Sequence, residues 1–170
     1  YYAISIAYVE KGKTLHALTI DVARQDEYTA SLGRGAYLND RRIRVSKRIG
    51  LKGALLSNSS HDTDKGKIRH DNMATFRTLY SNGLTIRRTG SAALDMANVA
   101  AGRLDGFWGS GLGVWDIAAG GLIVQEAGGL VSNYLGEPQY LEGGNVICAA
   151  NKCFKPMLQS IKPHVTILED

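Results

Sequence analysis

The sequence has little cysteine and no long apolar run, and each shortage excludes a class of protein. Two cysteines in 170 residues are too few for a disulfide scaffold, in a chain too large to need one. We therefore expect Cys148 and Cys153 to be reduced thiols of a cytoplasmic protein. No stretch approaches the roughly 18 consecutive apolar residues of a membrane span, so we expect no membrane association.

The sequence also lacks the common motifs of nucleotide binding and nucleophilic catalysis. It contains no Walker loop, no dinucleotide fingerprint and no G-x-S-x-G elbow. Residues 62–64, Asp-Thr-Asp, lack the downstream glutamate of a calcium loop. The four histidines show no metal-ligand spacing and are predicted to lie on the surface or in loops: His16, His61, His70 and His164.

A modest positive charge leaves nucleic-acid binding only weakly supported. The chain carries 20 Lys and Arg against 16 Asp and Glu, a formal net charge of +4. Basic residues are scattered among acidic ones instead of forming a patch, which is typical of a solvated surface.

The apolar pattern predicts a single layered α/β domain over residues 1–170. Residues 3–9 and 15–22 form a predicted hairpin, and short strands follow at 28–32, 36–38 and 43–45. Strands and helices then alternate, which favours layered packing. Strands are predicted at 54–57, 84–88, 104–108, 130–132 and 145–149, a polar loop at 58–67, and helices at 68–82, 92–101, 116–127 and 154–161. Because residue 1 opens an apolar run with no Met, we expect another part of the protein to precede it.

The first candidate site is the turn Thr89–Gly90–Ser91–Ala92 at a predicted helix start. Unpaired backbone N–H groups there could receive an anion or a hydroxyl, and small side chains leave room for a ligand. A capped helix packed tightly on a strand explains the same pattern. Arg87, just upstream, is either a phosphate or subunit contact or part of a solvated strand end.

The second candidate is Asp116, which follows Trp115 at the head of another predicted helix. Its carboxylate can cap the helix or serve as a hard oxygen ligand for Mg²⁺. One carboxylate cannot hold a catalytic metal alone, so the metal interpretation requires acidic residues from elsewhere.

Residues 115–129, which read WDIAAGGLIVQEAGG, closely resemble the C-terminal signature of the inositol monophosphatase family, W-D-x-A-A-G-x-x-I-V-x-E-A-G-G. Residues 87–95 (RRTGSAALD) and 99–107 (VAAGRLDGF) resemble its bacterial branch, and residues 2–7 and 35–39 resemble its strands. We therefore expect the chain to be the C-terminal part of such a protein, roughly two thirds of its domain.

The resemblance implies the inositol monophosphatase/fructose bisphosphatase-like sandwich and a lithium-sensitive, Mg²⁺-dependent phosphatase that forms a homodimer. It implies that Asp116 is a catalytic metal ligand on the leaving-group side. It further implies that Gly90, Ser91 and Ala92 contact the substrate, and that Arg87 contacts it near the dimer interface.

Two departures from the family pattern bear on activity. The acidic family motifs G-E-E and D-P-[IL]-D-G-T are absent, so these 170 residues alone are expected to be inactive. Gly109 stands where many inositol-specific members carry a glutamate that binds inositol hydroxyls. The expected substrate is inositol monophosphate or another small polyol or sugar phosphate. A nucleotide 3′-phosphatase, a sugar bisphosphatase and a non-catalytic partner of the transcription machinery remain alternatives.

Overall fold

Residues 3–42 form an antiparallel sheet whose strands lie side by side in chain order. The computed structural model describes residues 1–60 and 68–168. Sheet 1 contains β1 (Ala3–Glu10), β2 (Lys13–Asp21), β3 (Asp26–Ser31), β4 (Gly35–Leu38) and β5 (Arg41–Arg42). The predicted first hairpin is confirmed: its turn places Lys11 and Gly12 at φ of 49° and 74°, which matches the twist of the flanking strands.

A second, mixed sheet carries the parallel strands. Sheet 2 is ordered β10-β11-β9-β6-β8. Its strands are β6 (Leu55–Ser60), β8 (Thr85–Arg87), β9 (Gly106–Ser110), β10 (Leu130–Ser132) and β11 (Val146–Ala149). β6 runs parallel to both β8 and β9, so these three strands end at the same edge of the sheet. Separately, β7 (Ile68–His70) pairs antiparallel with β12 (Val165–Ile167).

Helices fill the space between the sheets and cover the far face of sheet 2. They are α1 (Asn72–Ser81), α2 (Ala92–Ala100), α3 (Val114–Glu126), α4 (Asn151–Ile161) and a 3₁₀ turn at Lys162–His164. α2 and α3 pack against each other and against both sheets, whereas α1 and α4 lie on the outer side of sheet 2. The layered α/β architecture is thereby confirmed. Within the described ranges, no helix is long and apolar enough to cross a bilayer.

Close contact between α2 and α3 depends on a glycine inside α3. A Cβ on Gly120 would lie 2.7 Å from Cβ of Met96, a residue of α2 with no exposed surface. Real Cβ atoms do not approach so closely, so a larger residue would push the two helices apart. The glycine costs helix propensity of about 1 kcal/mol relative to alanine and allows a dense core between the sheets.

The outer face of sheet 1 is apolar and exposed along its edge strand. Ile4, Ile6 and Tyr8 alternate along β1 with exposed fractions of 49%, 56% and 55%. Ile20 and Leu18 of β2 lie opposite Ile4 and Ile6, and both are only partly buried. Alternation puts the remaining β1 side chains on the inner face, where Ala7 contacts the core.

Several predicted boundaries are wrong for reasons that local pattern does not reveal. The helix predicted over 68–82 is split, because residues 68–70 pair with β12 and Asp71 caps α1 by accepting the Ala74 N–H at 2.9 Å. The strand predicted at 43–45 has no ladder partner within the described residues. Instead, the Val45 N–H donates to the Ala127 carbonyl at 3.2 Å, so this segment lies over the helical layer.

The helix predicted to begin at Phe154 begins three residues earlier, at Asn151. The predicted loop at 58–67 is wrong up to Ser60, because β6 continues to that residue beside β9. His61 and residues 62–64 lie outside the described residues.

Asp105 anchors the long connection between β5 and β6. This aspartate is 7% exposed and accepts hydrogen bonds from Ser46 Oγ at 2.6 Å and from Arg48 Nε at 2.8 Å. It also accepts the Leu55 N–H at 2.9 Å, at the first residue of β6. A single buried carboxylate thereby connects the irregular segment to the start of the central parallel strand.

Replacement of this anchor is expected to be costly. We expect Asp105→Ala to lower the free energy of unfolding by about 2–4 kcal/mol, because three donors lose a buried acceptor and Arg48 loses its counter-charge. Urea denaturation of the purified chain measures the change. The control is Glu142→Ala at an exposed position, expected to stay within about 0.5 kcal/mol. Equal stability of the two variants would contradict the anchoring role.

Candidate functional site

The start of α2 is held in the geometry that the sequence predicts. After β8 the chain turns through Gly90, whose φ of +96° lies in the left-handed region that favours glycine. Ser91 is the N-cap: its side chain accepts from the Leu94 N–H at 3.5 Å and its carbonyl accepts from the Asp95 N–H at 3.0 Å. The predicted Ser91 cap is confirmed.

The start of α3 gives Asp116 its position. The helix begins two residues earlier than predicted, at Val114, with Gly113 as the N-cap. Asp116 Oδ2 accepts the Gly113 N–H at 2.8 Å, so the carboxylate closes the first turn of its own helix. Oδ1 makes no hydrogen bond within residues 1–60 and 68–168. Asp116 therefore caps the helix with one oxygen and retains the other for a ligand.

The two helix starts meet at one cavity of about 340 Å³, here called the Asp116 cavity. It brings together all the predicted residues of the two helix starts: Gly90, Ser91, Ala92 and Asp116. Further lining comes from Ser5 of β1, Ser59 of β6, Leu112 and Trp115. Ser5 Oγ donates to the Trp115 carbonyl at 3.1 Å and so connects the start of α3 to sheet 1.

The electrostatics of the Asp116 cavity favour an anion beside a cation site. The N-terminus of a helix carries a partial positive charge and unpaired N–H donors. Because α2 and α3 both begin at this cavity, their dipoles act on the same volume. Asp116 contributes one negative charge at the rim, where it would repel an isolated anion and attract a metal ion that the anion also contacts.

Arg87 lies outside the Asp116 cavity, whereas the next residue, Arg88, contacts the end of β6. Arg87 is exposed at the end of β8 and does not line the Asp116 cavity. Its predicted contact with substrate or a second subunit stays a prediction. Arg88, in contrast, turns toward β6, and its Nη2 donates to the Ser60 carbonyl at 2.8 Å.

Ser59 and Ser5 are site residues that the sequence analysis missed. The sequence pattern puts Ser59 in a polar loop and makes Ser5 one residue of an apolar strand. The signal that could have found Ser59 is the strand end itself, because the carboxyl ends of parallel strands are the usual edge for ligand binding in α/β sheets. Ser59 lies at that edge, opposite Gly109 of β9.

Gly109 is tightly enclosed, which explains why no larger side chain stands there. A Cβ at this position would lie 2.5 Å from Leu112 Cδ1 and 2.7 Å from the Ser59 carbonyl oxygen. The second contact involves backbone and cannot be relieved by a rotamer change. A side chain at this position would therefore require the backbone of this protein to shift near Ser59.

Asp95 supports the turn at Gly90 from the core side. It has no exposed surface, and its Oδ1 accepts the Thr89 hydroxyl at 2.6 Å, directly before Gly90. Its Oδ2 is also buried, beside the Ser57 hydroxyl. Burial raises the pKa of Asp95 to about 7, against the lowering effects of the Thr89 and Ser57 hydroxyls. The carboxyl group therefore holds a proton well above the pH at which an exposed aspartate loses it.

This raised pKa predicts a pH dependence of stability. Between the unfolded pKa of about 4 and the folded pKa of about 7, the folded state binds one more proton than the unfolded state, so stability falls as pH rises. Asp95→Asn cannot titrate, and its amide can donate to Ser57. We therefore expect the free energy of unfolding of Asp95→Asn, minus that of the parent, to rise as the pH rises from about 4.5 to 7.5.

Chemical denaturation across this range measures both curves. Glu142→Gln, at an exposed position, serves as the control and should follow the parent at every pH. Parallel curves for the parent and Asp95→Asn would show that Asp95 titrates normally.

The described residues provide one ligand of a metal site and not the whole of it. Over residues 1–60 and 68–168, no group of three or more His, Cys, Asp or Glu side chains is close enough to hold a metal ion. Asp116 fits a metal in its chemistry, with a carboxylate oxygen at the mouth of a polar cavity. It is the only carboxylate among the described residues that line this cavity.

A layered α/β fold whose two central helices begin at one polar cavity defines a class of protein suited to binding small anions. The comparison with known proteins makes the class specific. The model of the inositol monophosphatase family matches residues 1–165, and the chain belongs to that family. The match covers nearly the whole chain, not its C-terminal signature alone.

Known relatives carry two kinds of name. The chain is 50% identical over 166 residues to the Nus factor SuhB of Pseudomonas aeruginosa. The aligned region covers 97% of this chain and 61% of that relative. The chain is 39% identical over 162 residues to the inositol-1-monophosphatase of Mesorhizobium japonicum, covering 95% and 60%. The chain thus spans about three fifths of the length of these relatives.

Solved structures show the same fold. The extragenic suppressor protein suhB from Bartonella henselae matches with a TM-score of 0.87 and 35% identity, covering 95% of this chain and 62% of that one. The inositol monophosphatase from Anabaena matches with a TM-score of 0.86 and 30% identity, covering 94% and 65%.

Proposed function

We propose that the intact protein is a Mg²⁺-dependent phosphate monoester hydrolase that acts on inositol monophosphate or a similar small polyol or sugar phosphate. The observation that carries the proposal is the convergence of Asp116 with Gly90, Ser91 and Ala92 at one cavity. Membership of the inositol monophosphatase family supports the same class of reaction. A nucleotide 3′-phosphate or a sugar bisphosphate is the alternative substrate.

Each side of the cavity has a distinct task in this proposal. Asp116 offers its Oδ1 as a metal ligand while its Oδ2 stays on the Gly113 N–H, so helix α3 fixes the direction of the carboxylate. The N–H groups at the start of α2 bind the substrate's oxygens, and the small side chains of Gly90 and Ala92 let it approach. Bound Mg²⁺ would supply charge neutralisation at phosphorus and a more acidic water.

The remaining metal ligands are proposed to come from a part of the protein outside these 170 residues. Two observations support this: Asp116 is the single carboxylate among the described residues of its cavity, and the chain covers 61% of its Pseudomonas aeruginosa relative. The same part would cover the apolar outer face of sheet 1, where Ile4 and Ile6 are about half exposed. The 170-residue chain by itself is then expected to release no phosphate.

Three further properties belong to the proposal: a cytoplasmic location, inhibition by lithium and a homodimer with Arg87 near its interface. Gly109 leaves room in the proposal for small phosphate esters other than inositol monophosphate, because a side chain that would bind inositol hydroxyls is absent there.

Asp116→Asn in the intact protein tests the metal role. The near-isosteric amide can still orient its oxygen toward Gly113 but carries no charge for the metal, so turnover should fall by about two orders of magnitude or more with little change in fold. The assay measures phosphate release from inositol 1-phosphate, glycerol 2-phosphate and a nucleotide 3′-phosphate with Mg²⁺, with and without lithium.

Asp40→Asn is the matched control for this substitution. Asp40 is exposed at a turn with φ of +61°, a conformation that asparagine tolerates, and it does not line the Asp116 cavity. The activity of this variant should equal that of the parent. Parental turnover in Asp116→Asn would disprove the metal role, and no release from any substrate by the parent would disprove the phosphatase proposal.

A second candidate function is a partner role in transcription, with or without catalysis. It is favoured by the 50% identity to a protein named as a Nus factor. A pull-down with the intact protein against purified transcription factors and RNA tests it. Retention of a partner by both the parent and Asp116→Asn would show a role independent of the metal site, and no retained partner counts against it.

A further inference from the structure

Asp95 is a buried carboxylic acid to which the proposed reaction assigns no task. It lies in the first turn of α2, after the Ser91 N-cap, and its N–H donates to the Ser91 carbonyl at 3.0 Å. Helical side chains lean toward the N-terminus of their helix, so the carboxyl group reaches back toward the turn that precedes α2. There it accepts the Thr89 hydroxyl at 2.6 Å, directly before Gly90.

No charged side chain within the described ranges neutralises Asp95. The titratable groups that respond to its charge are the phenol of Tyr1, ahead of β1, and the thiol of Cys148 in β11. Burial raises the pKa of both, so neither is charged near neutral pH. Arg24 lies over the Tyr1 ring, with Cζ 5.8 Å from the ring centroid, and pairs with Asp21 at 2.8 Å. Burial therefore decides the charge of Asp95 and raises its pKa to about 7.

An ionised Asp95 would compete with a bound anion for the positive end of α2. Ala92 and Ala93 begin this helix and line the Asp116 cavity, and the N–H groups of a first helical turn have no partner in their own helix. Residues 92 and 95 are less than one turn apart, about 4.5 Å along the helix axis. A negative charge at that depth offsets the partial positive charge on which an anion depends. Because the carboxyl group is buried, salt and water screen its charge poorly.

Ionisation would also change the hydrogen bonds that hold the turn. A protonated carboxyl group can accept from Thr89 through Oδ1 and donate to the Ser57 hydroxyl through Oδ2, whereas a carboxylate needs both hydroxyls to donate. Thr89 directly precedes Gly90, whose φ of +96° sets the direction of the chain into α2. The proton on Asp95 therefore affects both the charge and the backbone position at the start of α2.

We propose that Asp95 is a positioning residue of the anion site at the start of α2, and that its proton is required for tight anion binding there. This inference rests on the proposed function, which assigns the oxygens of the substrate to the N–H groups of this helix start. Binding of an anion draws a proton onto Asp95, and loss of that proton weakens the binding of the anion by the same factor. Asp116, at the rim of the same cavity, acts instead through a bound metal ion.

Calorimetric titration of the intact protein with sulfate and Mg²⁺, between about pH 5.5 and 8.5, tests the proposal. Sulfate keeps two negative charges across this range, so the ligand itself does not titrate. The dissociation constant of the parent should rise about tenfold with pH, because one charge about 8 Å away at an effective dielectric constant of about 20 has at least that effect. Asp95→Asn is neutral at every pH and should keep the low dissociation constant throughout.

Asp40→Asn is the matched control for this substitution. Asp40 is exposed and does not line the Asp116 cavity, so this variant should follow the parent at every pH. A merely structural role of Asp95 would have a different signature: Asp95→Asn would bind sulfate more weakly than the parent by one factor at all pH values.

Proton uptake by the parent tests the proposal without any variant. Titrations in buffers of different ionisation enthalpy should show an uptake of about half a proton for each sulfate bound near pH 7.5, because the anion raises the pKa of Asp95. A dissociation constant of the parent that does not change with pH, no proton uptake, or no sulfate binding at any pH overturns the proposal.

Phosphate release by the intact protein separates this inference from the proposed function. Release of phosphate alongside any of those three results would leave the phosphatase function standing without a role for the Asp95 proton. Proton-linked sulfate binding with no release from any substrate would instead support the role of Asp95 and disprove the phosphatase function.

Discussion

The packing of α2 against α3 between the two sheets is the constraint on which the rest of the structure depends. Because Gly120 has no side chain, α3 can lie directly against Met96 of α2. At this separation both helices begin at the same cavity. Their dipoles then act on one cavity, and Asp116 is held at its rim by a hydrogen bond within its own first turn. The packing of the core therefore determines the electrostatic field at the site.

The parallel strands of sheet 2 add a second level of organisation. Because β6, β8 and β9 end at one edge, residues at these ends line both the Asp116 cavity and a second cavity of about 570 Å³, which lies between the start of α1 and the β7–β12 pair. A buried, proton-holding Asp95 supports the turn on one side through Thr89, and the capped start of α1 closes the other side.

Features encoded by contiguous residues could be predicted from the sequence, and features made by distant residues could not. The first hairpin, the Ser91 cap and the pairing of Asp116 with a helix start are all local patterns, and the resemblance to a known family extended them to the fold. The β7–β12 pair joins residues almost a hundred positions apart, so helical periodicity at residues 68–82 was misleading. The cavity between the start of α1 and the β7–β12 pair is lined by residues that range from 60 to 166, so no local sequence pattern indicates it.

The central claim is that Asp116 and the start of α2 form one site for a metal-bound phosphate. A crystal structure of the intact protein, grown with Mn²⁺ in place of Mg²⁺ and with inorganic phosphate, tests it directly through the anomalous signal of the metal. The account predicts a Mn²⁺ peak bonded to Asp116 and a phosphate in contact with the N–H groups near Ser91. Manganese and phosphate bound elsewhere, with Asp116 contacting only Gly113, would contradict it.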